Sequence, residues 1–195
     1  MYEYIKGELV LLTPAYAVID VQGIGYKVII SLQTYTKLAD ATTAKLNTHQ
    51  VIREDANLLY GFYDENERHI FRLLINVNGV GPNTAVIMLS SLSSEEIRTA
   101  ILKEDINTLK GVKGIGLKTA QRIIVDLRDK ITTTGASVDL FSKHVTGNEQ
   151  KEEALLALIT MGYTKSTAEK VLDKLQKETK YATVQELLKA AFKQM

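Results

Sequence analysis

Two stretches of eight residues, offset by 35 positions, constrain this chain more than any other feature. Asn78-Gly-Val-Gly-Pro-Asn-Thr-Ala85 aligns without gaps on Lys113-Gly-Ile-Gly-Leu-Lys-Thr-Ala120. Apolar residues at helical spacing surround both copies: Ile70, Phe71, Leu74 and Ile75, then Ile97, Ile101 and Leu102, then Ile123, Ile124 and Leu127. Each copy therefore reads as helix, Gly-apolar-Gly turn, helix. The glycines let the backbone turn without a Cβ in the way. The residue between them, Val80 or Ile115, can plug inward between the helices. The turn then leaves unpaired N–H groups at the start of the second helix, where the helix dipole favours an anion. Thr84 and Thr119 can add a hydroxyl. Such a site touches no base edge and grips phosphate whatever the sequence. A single copy would read better as a tight turn between helices; two matching copies point to phosphate.

The second copy also looks like a nucleotide loop, but the frame fails. Gly111 and Gly116 have the spacing of Gly-x-x-x-x-Gly-Lys-Ser/Thr, yet Leu117 stands where the lysine belongs and Lys118 comes one place late. The preceding segment is not strand-like. A dinucleotide fingerprint fails as well, because neither Gly79-x-Gly81 nor Gly114-x-Gly116 has the third glycine. Charge separates the two copies. Ile106 to Val125 holds Lys110, Lys113, Lys118 and Arg122 and no acid, whereas Leu73 to Ser94 holds no charged side chain. The first copy must rely on backbone donors and Asn83, and the second adds cations. Two such units in one compact domain are suited to the phosphates of two strands of a duplex.

The remaining composition excludes other classes. Net charge is +1, so any basic surface is local. With no cysteine there is neither disulfide nor cysteine zinc site. Imidazole comes only from His49, His69 and His144, with no sign of clustering. The apolar runs are short of a membrane span, and "MYEYIKGELV" lacks a signal-peptide layout. The expectation is a cytoplasmic protein with no metal and no cofactor.

Three grammars follow one another along the chain, giving an α+β multidomain reading. Residues 1–62 contain five short β-branched or aromatic segments: "YIKGELVLL", "YAVIDV", "GYKVII", "HQVIRED" and "NLLYGFY". Closure into a small barrel would remove their edges, and a short helix in "SLQTYTKLAD" completes an OB-fold pattern. Residues 63–131 are helical, with capping boxes expected at Asp64-Glu-Asn-Glu67 and Ser93-Ser-Glu-Glu96. Residues 132–148, rich in Thr, Ser and Gly, read as a flexible linker. Residues 149–195 read as a three-helix bundle, with a stop at Gly162 and a cap at Thr183.

The paired turns resemble tandem helix-hairpin-helix motifs. Over nearly its whole length the chain resembles the RuvA family, the Holliday-junction-binding subunits of bacterial RuvAB branch-migration complexes. The matching residues are Gly23-x-Gly-Tyr26, Arg53-Glu-Asp-Ala56, Leu59-Tyr-Gly-Phe62, Asn78-Gly-Val-Gly-Pro82, Gly114-Ile-Gly116, Lys118-Thr-Ala120 and Leu158-x-x-Met-Gly-Tyr163. The resemblance implies a non-catalytic, structure-specific DNA-binding subunit. It implies a homotetramer holding a four-way junction open, a RuvB-like hexameric ATPase that contacts the tail, and a RuvC-like resolvase as a further partner. DNA contacts would come from Gly79, Val80, Gly81, Asn83, Thr84, Lys110, Lys113, Gly114, Ile115, Gly116, Lys118, Thr119 and Arg122. Glu54 and Asp55 would form an acidic pin that repels phosphate at the tetramer centre; as residues alone they read as a solvated turn or, less readily, a metal-nuclease pair. Leu158, Met161, Tyr163 and Phe192, in a tail resembling ubiquitin-associated bundles, would face the motor. Asn83 and Leu117 depart from the family, in which a basic residue is frequent at both positions.

Two further readings stay open on the residues. A base-excision enzyme would place a catalytic Lys or Asp just past a hairpin, and Asp126 and Asp129 lie there, though without a larger helical domain around them. A generic duplex-binding module would need no junction at all.

Overall fold

The computed structural model describes residues 1–140, 149–179, 181 and 183–194. They form two compact units, Met1–Val138 and Asp139–Met195.

Five strands make a closed barrel: β1 (Tyr4–Leu12), β2 (Tyr16–Val21), β3 (Ile24–Ile30), β4 (Thr43–Ile52) and β5 (Asn57–Phe62), in the order β1-β2-β3-β5-β4. Closure depends on β1 serving two neighbours. Its Tyr4–Glu8 half pairs with β4 and its Glu8–Leu12 half with β2, with a register shift between Leu9 and Leu11 that bends the strand. Gly7 sits in the tight part of that bend, where a Cβ would lie 1.9 Å from the Asp20 carbonyl oxygen. The ring closes through a short parallel pairing, Ile29 with Tyr60 and Ile30 with Gly61. Helix α1 (Leu32–Leu38), capped by Ser31, connects β3 to β4 and adds Leu38 to the barrel core of Ile5, Ala17, Ile19, Val28, Ile30, Ala44 and Leu46. The expected OB-like barrel is present. β4 begins six residues before "HQVIRED" and ends before Arg53. Its first half alternates buried Ala44, Leu46 and Thr48 with outward polar residues, a pattern too polar to stand out as a strand in sequence.

Helices α2 (Glu65–Ile75), α3 (Pro82–Ser91), α4 (Ser94–Leu102), α5 (Ile106–Lys110) and α6 (Leu117–Leu140) follow. They share a core with the barrel wall, because β5 is buried on both faces. Leu59 faces the barrel interior, while Tyr60 and Phe62 face the helices and pack on Phe71, at ring distances of 5.1 and 4.8 Å. A second tie is polar. Arg68 on α2 is buried, pairs with Glu3 and Glu65, and donates 2.8 Å to the Glu3 carbonyl and 3.3 Å to that of Thr48. With its partners so complete, the buried guanidinium locks α2 onto β1 and β4.

The Ser93–Glu96 capping box forms as expected. At Asp64 only half of it forms. The Asp64 carboxylate accepts from Glu67 N–H at 2.9 Å, but the Glu67 carboxylate turns away and accepts from Ser31 Oγ and, at 2.7 Å, from Thr34 Oγ1. Tertiary packing brings α1 against α2, and two buried hydroxyls outcompete a local backbone donor.

Residues 132–140 of the expected linker are helical, since α6 continues to Leu140. The Thr and Ser residues there lower helix propensity without breaking a helix already nucleated by the preceding apolar turns. Positions 141–148 of the expected linker lie outside the described residues. The tail folds as α7 (Glu149–Thr160), α8 (Lys165–Glu178) and α9 (Val184–Phe192) around Ala154, Leu158, Ala168, Leu172, Leu175, Leu187 and Ala191. Gly162, at φ +99, lets the chain turn between α7 and α8, and the Thr183 hydroxyl caps α9 by accepting from Glu186 N–H at 3.2 Å.

Candidate nucleic-acid interface

The repeat in sequence is a repeat in structure, down to single hydrogen bonds. In the first copy Val80 N–H closes on the Val77 carbonyl at 3.0 Å; in the second Ile115 N–H closes on Val112 at 3.1 Å. Gly79 and Gly114 adopt φ +94 and +91 at the same point of each turn. Val77, Val80, Val112 and Ile115 are all buried in the helical core, so each turn is anchored by an apolar residue on either side of its left-handed glycine. Val80 and Ile115 therefore offer neither an exposed side chain nor a free N–H. Their side chains point inward and their N–H groups are used within the turn; they act as plugs that hold the loop's shape.

What faces outward is the start of the following helix. The first backbone bond of α3 runs from Ala85 N–H to the Gly81 carbonyl, and that of α6 from Ala120 N–H to Gly116, both at 2.9 Å. The N–H groups of Asn83 and Thr84, and of Leu117, Lys118 and Thr119, come before these ladders and have no intrahelical partner. No side chain caps α3, because its cap residue is Gly81. Pro82 takes the first helical position, where a missing N–H costs nothing. A Cβ added at Gly81 or Gly116 would meet no atom within 4 Å, and neither residue has positive φ. Among the described residues nothing requires glycine at these two positions. A ligand pressed against the backbone would.

The predicted cations lie on the exposed surface: Lys110 at the end of α5, Lys113 in the second turn, Lys118 and Arg122 on α6. Thr84 and Thr119 are half-buried. Arg122 does more than add charge, since its Nη1 donates 3.4 Å to the Asn78 carbonyl of the first turn. Asn83 is exposed, and its Oδ1 accepts from the Tyr60 hydroxyl at 3.1 Å. Tyr60 and its contact were not legible in sequence, because nothing local links β5 to a turn 23 residues later.

Glu54 and Asp55 form the exposed tip of the β4–β5 hairpin, closed by Arg53 N–H to the Ala56 carbonyl at 2.8 Å. Among the described residues no group of three or more His, Cys, Asp or Glu is placed to hold a metal ion. The cavity lined by Gln33, Lys37, Asp64, Glu67, Ser93 and Ser94 is about 30 Å³, room for one water rather than for a flipped base.

In the tail the four expected partner-facing residues divide. Met161, Tyr163 and Phe192 are exposed, the last two with ring centroids 6.4 Å apart. Leu158 is fully buried in the bundle core. Leu156 and Ile159 on α7 are exposed instead. An apolar run around a short helix does not reveal which side packs, so these two were missed. Among the described residues no helix is long and apolar enough to cross a membrane.

Comparison with known proteins agrees along the chain. The model of the RuvA N-terminal domain matches residues 1–61, that of the SAM-like helix-hairpin-helix tandem residues 71–129, and that of the RuvA C-terminal domain residues 149–195. The Holliday junction branch migration complex subunit RuvA of Christiangramia forsetii is 45% identical over 195 residues, covering 100% of both chains. The same subunit of Bacteroides thetaiotaomicron is 47% identical over 201 residues, again covering 100% of both. That of Chlorobium phaeobacteroides is 41% identical over 198 residues, covering 98% of this chain and 96% of its own. With a five-strand barrel, two matched Gly-x-Gly turns and a three-helix tail in one order, the chain belongs to the RuvA family.

Proposed function

We propose that this chain binds four-way junction DNA without regard to sequence, as the DNA-binding subunit of a branch-migration complex. The observation that carries the reading is the matched pair of turns whose second glycines, Gly81 and Gly116, are required by nothing among the described residues. Backbone N–H groups at those two helix starts grip phosphates, and Thr84 and Thr119 assist. Lys110, Lys113, Lys118 and Arg122 supply the charge. Four copies present these sites on one face of a homotetramer. The Glu54–Asp55 tip repels phosphate at its centre and keeps duplex arms apart. The chain itself catalyses no step. Its tail engages a RuvB-like hexameric ATPase through Met161, Tyr163 and Phe192, with Leu156 and Ile159 beside them, and the complex works in the cytoplasm in recombination and repair. A RuvC-like resolvase acts on the same junction.

The test is a gel shift comparing a synthetic four-way junction with linear duplex of equal length, with and without the motor partner. Preference for the junction, and a slower complex on adding the motor, are expected. Equal affinity for both DNAs would reduce the chain to a generic duplex-binding module, and base release or strand incision would indicate an enzyme.

A further inference from the structure

Among the positions at which the two turns differ is the second residue of the following helix. In the second turn this is Lys118, an exposed cation. In the first it is Asn83, neutral and equally exposed. A free amide there is an ambiguous phosphate ligand. Its Nδ2 end donates and its Oδ1 end repels, and rotation about one bond exchanges them. In the structure the Oδ1 end is the one turned toward the barrel. Tyr60 on β5 is 1% exposed and its ring packs 5.1 Å from that of Phe71, so its hydroxyl has a fixed position. That hydroxyl lies 3.1 Å from Asn83 Oδ1. Among the described residues no other side-chain hydrogen bond engages the Asn83 amide.

We propose that Tyr60 is a positioning residue for DNA: by donating to Asn83 Oδ1 it turns the Nδ2 donors of Asn83 toward the phosphate held at the first turn. The barrel thus sets the donor that a lysine supplies by charge alone in the second turn. Burial keeps the phenol protonated, since it raises the Tyr60 pKa above its ordinary value against a smaller opposing effect of Arg53. The phenol stays a donor throughout the range in which DNA binding is measured. The inference rests on the reading of the first turn as a phosphate site.

The test is a double-mutant cycle on the full chain, using a fluorescent four-way junction at several salt concentrations. Tyr60→Phe keeps the packed ring and removes only the hydroxyl. Tyr60→Phe and Asn83→Ala should each weaken binding about three- to tenfold, the range for the net worth of one ordinary hydrogen bond. The double variant should be no weaker than the weaker single. None of the three should change the salt slope, because no charge is removed. Melting temperatures within a few degrees of the parent would exclude a folding cause. Lys118→Ala tests the underlying reading separately, by flattening the slope by about one charge. If Lys118→Ala flattens the slope while Tyr60→Phe binds like the parent, the positioning role is overturned and the phosphate reading stands. Additive losses in the double variant overturn the positioning role too. If neither Lys118→Ala nor Asn83→Ala affects binding, the phosphate reading falls and takes this inference with it.

Discussion

Arg122, on the helix after the second Gly-x-Gly turn, donates from Nη1 to the carbonyl oxygen of Asn78 in the first turn, at 3.4 Å. The most basic part of the chain is thereby tied to its uncharged counterpart. The spacing of the two turns is held by a side chain as well as by the core beneath them.

This gives Arg122 two separable roles. Arg122→Lys keeps the charge but loses the planar fork. It should weaken junction binding about three- to tenfold with the salt slope unchanged. Arg122→Ala should weaken it further and lower the slope by about one charge. Fluorescence anisotropy across a salt series distinguishes the two. Arginine and lysine binding equally well would leave the residue as a charge and nothing more.

The four glycines of the turns should divide into two pairs. Gly79→Ala and Gly114→Ala force a side chain into left-handed backbone and should each lose about 1 kcal/mol of stability. Gly81→Ala and Gly116→Ala meet no neighbour and should stay within about 0.5 kcal/mol of the parent. Their added methyl nevertheless stands where a phosphate oxygen must approach, so DNA binding should fall. Thermal melts beside gel shifts check this, and unimpaired binding by both variants of the second pair would remove the close-approach explanation.

Glu67 should leave a mark on the pH dependence of stability. Burial raises its pKa above the ordinary 4.5, with the Ser31 and Thr34 hydroxyls pulling the other way. An acid whose folded pKa is raised stabilises most when protonated. Its contribution is complete below the unfolded value and is lost as pH rises through the folded one. Asp64 and Glu3, whose pKa values are lowered, contribute in the opposite sense, but both remain in a Glu67→Gln variant. The stability of the parent minus that of Glu67→Gln should therefore be greatest at acid pH and shrink toward neutrality. A difference that is flat in denaturant titrations from pH 4 to 7 would contradict the assignment.

Neutralising the hairpin tip tests the acidic pin. Glu54→Gln with Asp55→Asn should leave the melting temperature unchanged, since both side chains are exposed at a turn closed by backbone. Binding to linear duplex should tighten more than binding to a junction, reducing selectivity. Unchanged duplex binding, junction binding and migration together would return the pair to an ordinary solvated turn.

The tail offers a contrast within one segment. Leu158→Ala empties a fully buried site and should cost about 2–5 kcal/mol of the bundle's stability. Phe192→Ala and Met161→Ala alter exposed positions and should leave the bundle folded while weakening the motor complex. DNA binding should survive all three. Motor pull-down and circular dichroism separate the cases, and full motor binding by Phe192→Ala and Met161→Ala together would place the contact elsewhere.

The two turns were legible in sequence because every residue they need lies within nine positions. A left-handed glycine, an apolar plug and an uncapped helix start are local requirements, and the same letters meet them twice. Strands β1, β2, β3 and β5, the second half of β4 and the Ser93 box were legible for the same reason. The seam between barrel and helices was not. Tyr60 and Phe62 look like ordinary apolar strand residues, and only the fold shows that β5 is covered on both faces. Nor could sequence tell Leu158 from Leu156 and Ile159, since all three are apolar on one short helix and only the packed neighbours choose a side.

By itself, then, the sequence determined the local chemistry: where the chain turns, which turns repeat, and which of the pair carries charge. Tertiary structure alone decided the long-range partners. It sent Glu67 to Ser31 and Thr34 rather than back to its own helix, brought Arg122 to Asn78, and set the Tyr60 hydroxyl against Asn83. Turn preferences act over a few bonds. The choice of partner for a side chain depends on which surfaces are buried together, and that emerges only when the whole core closes.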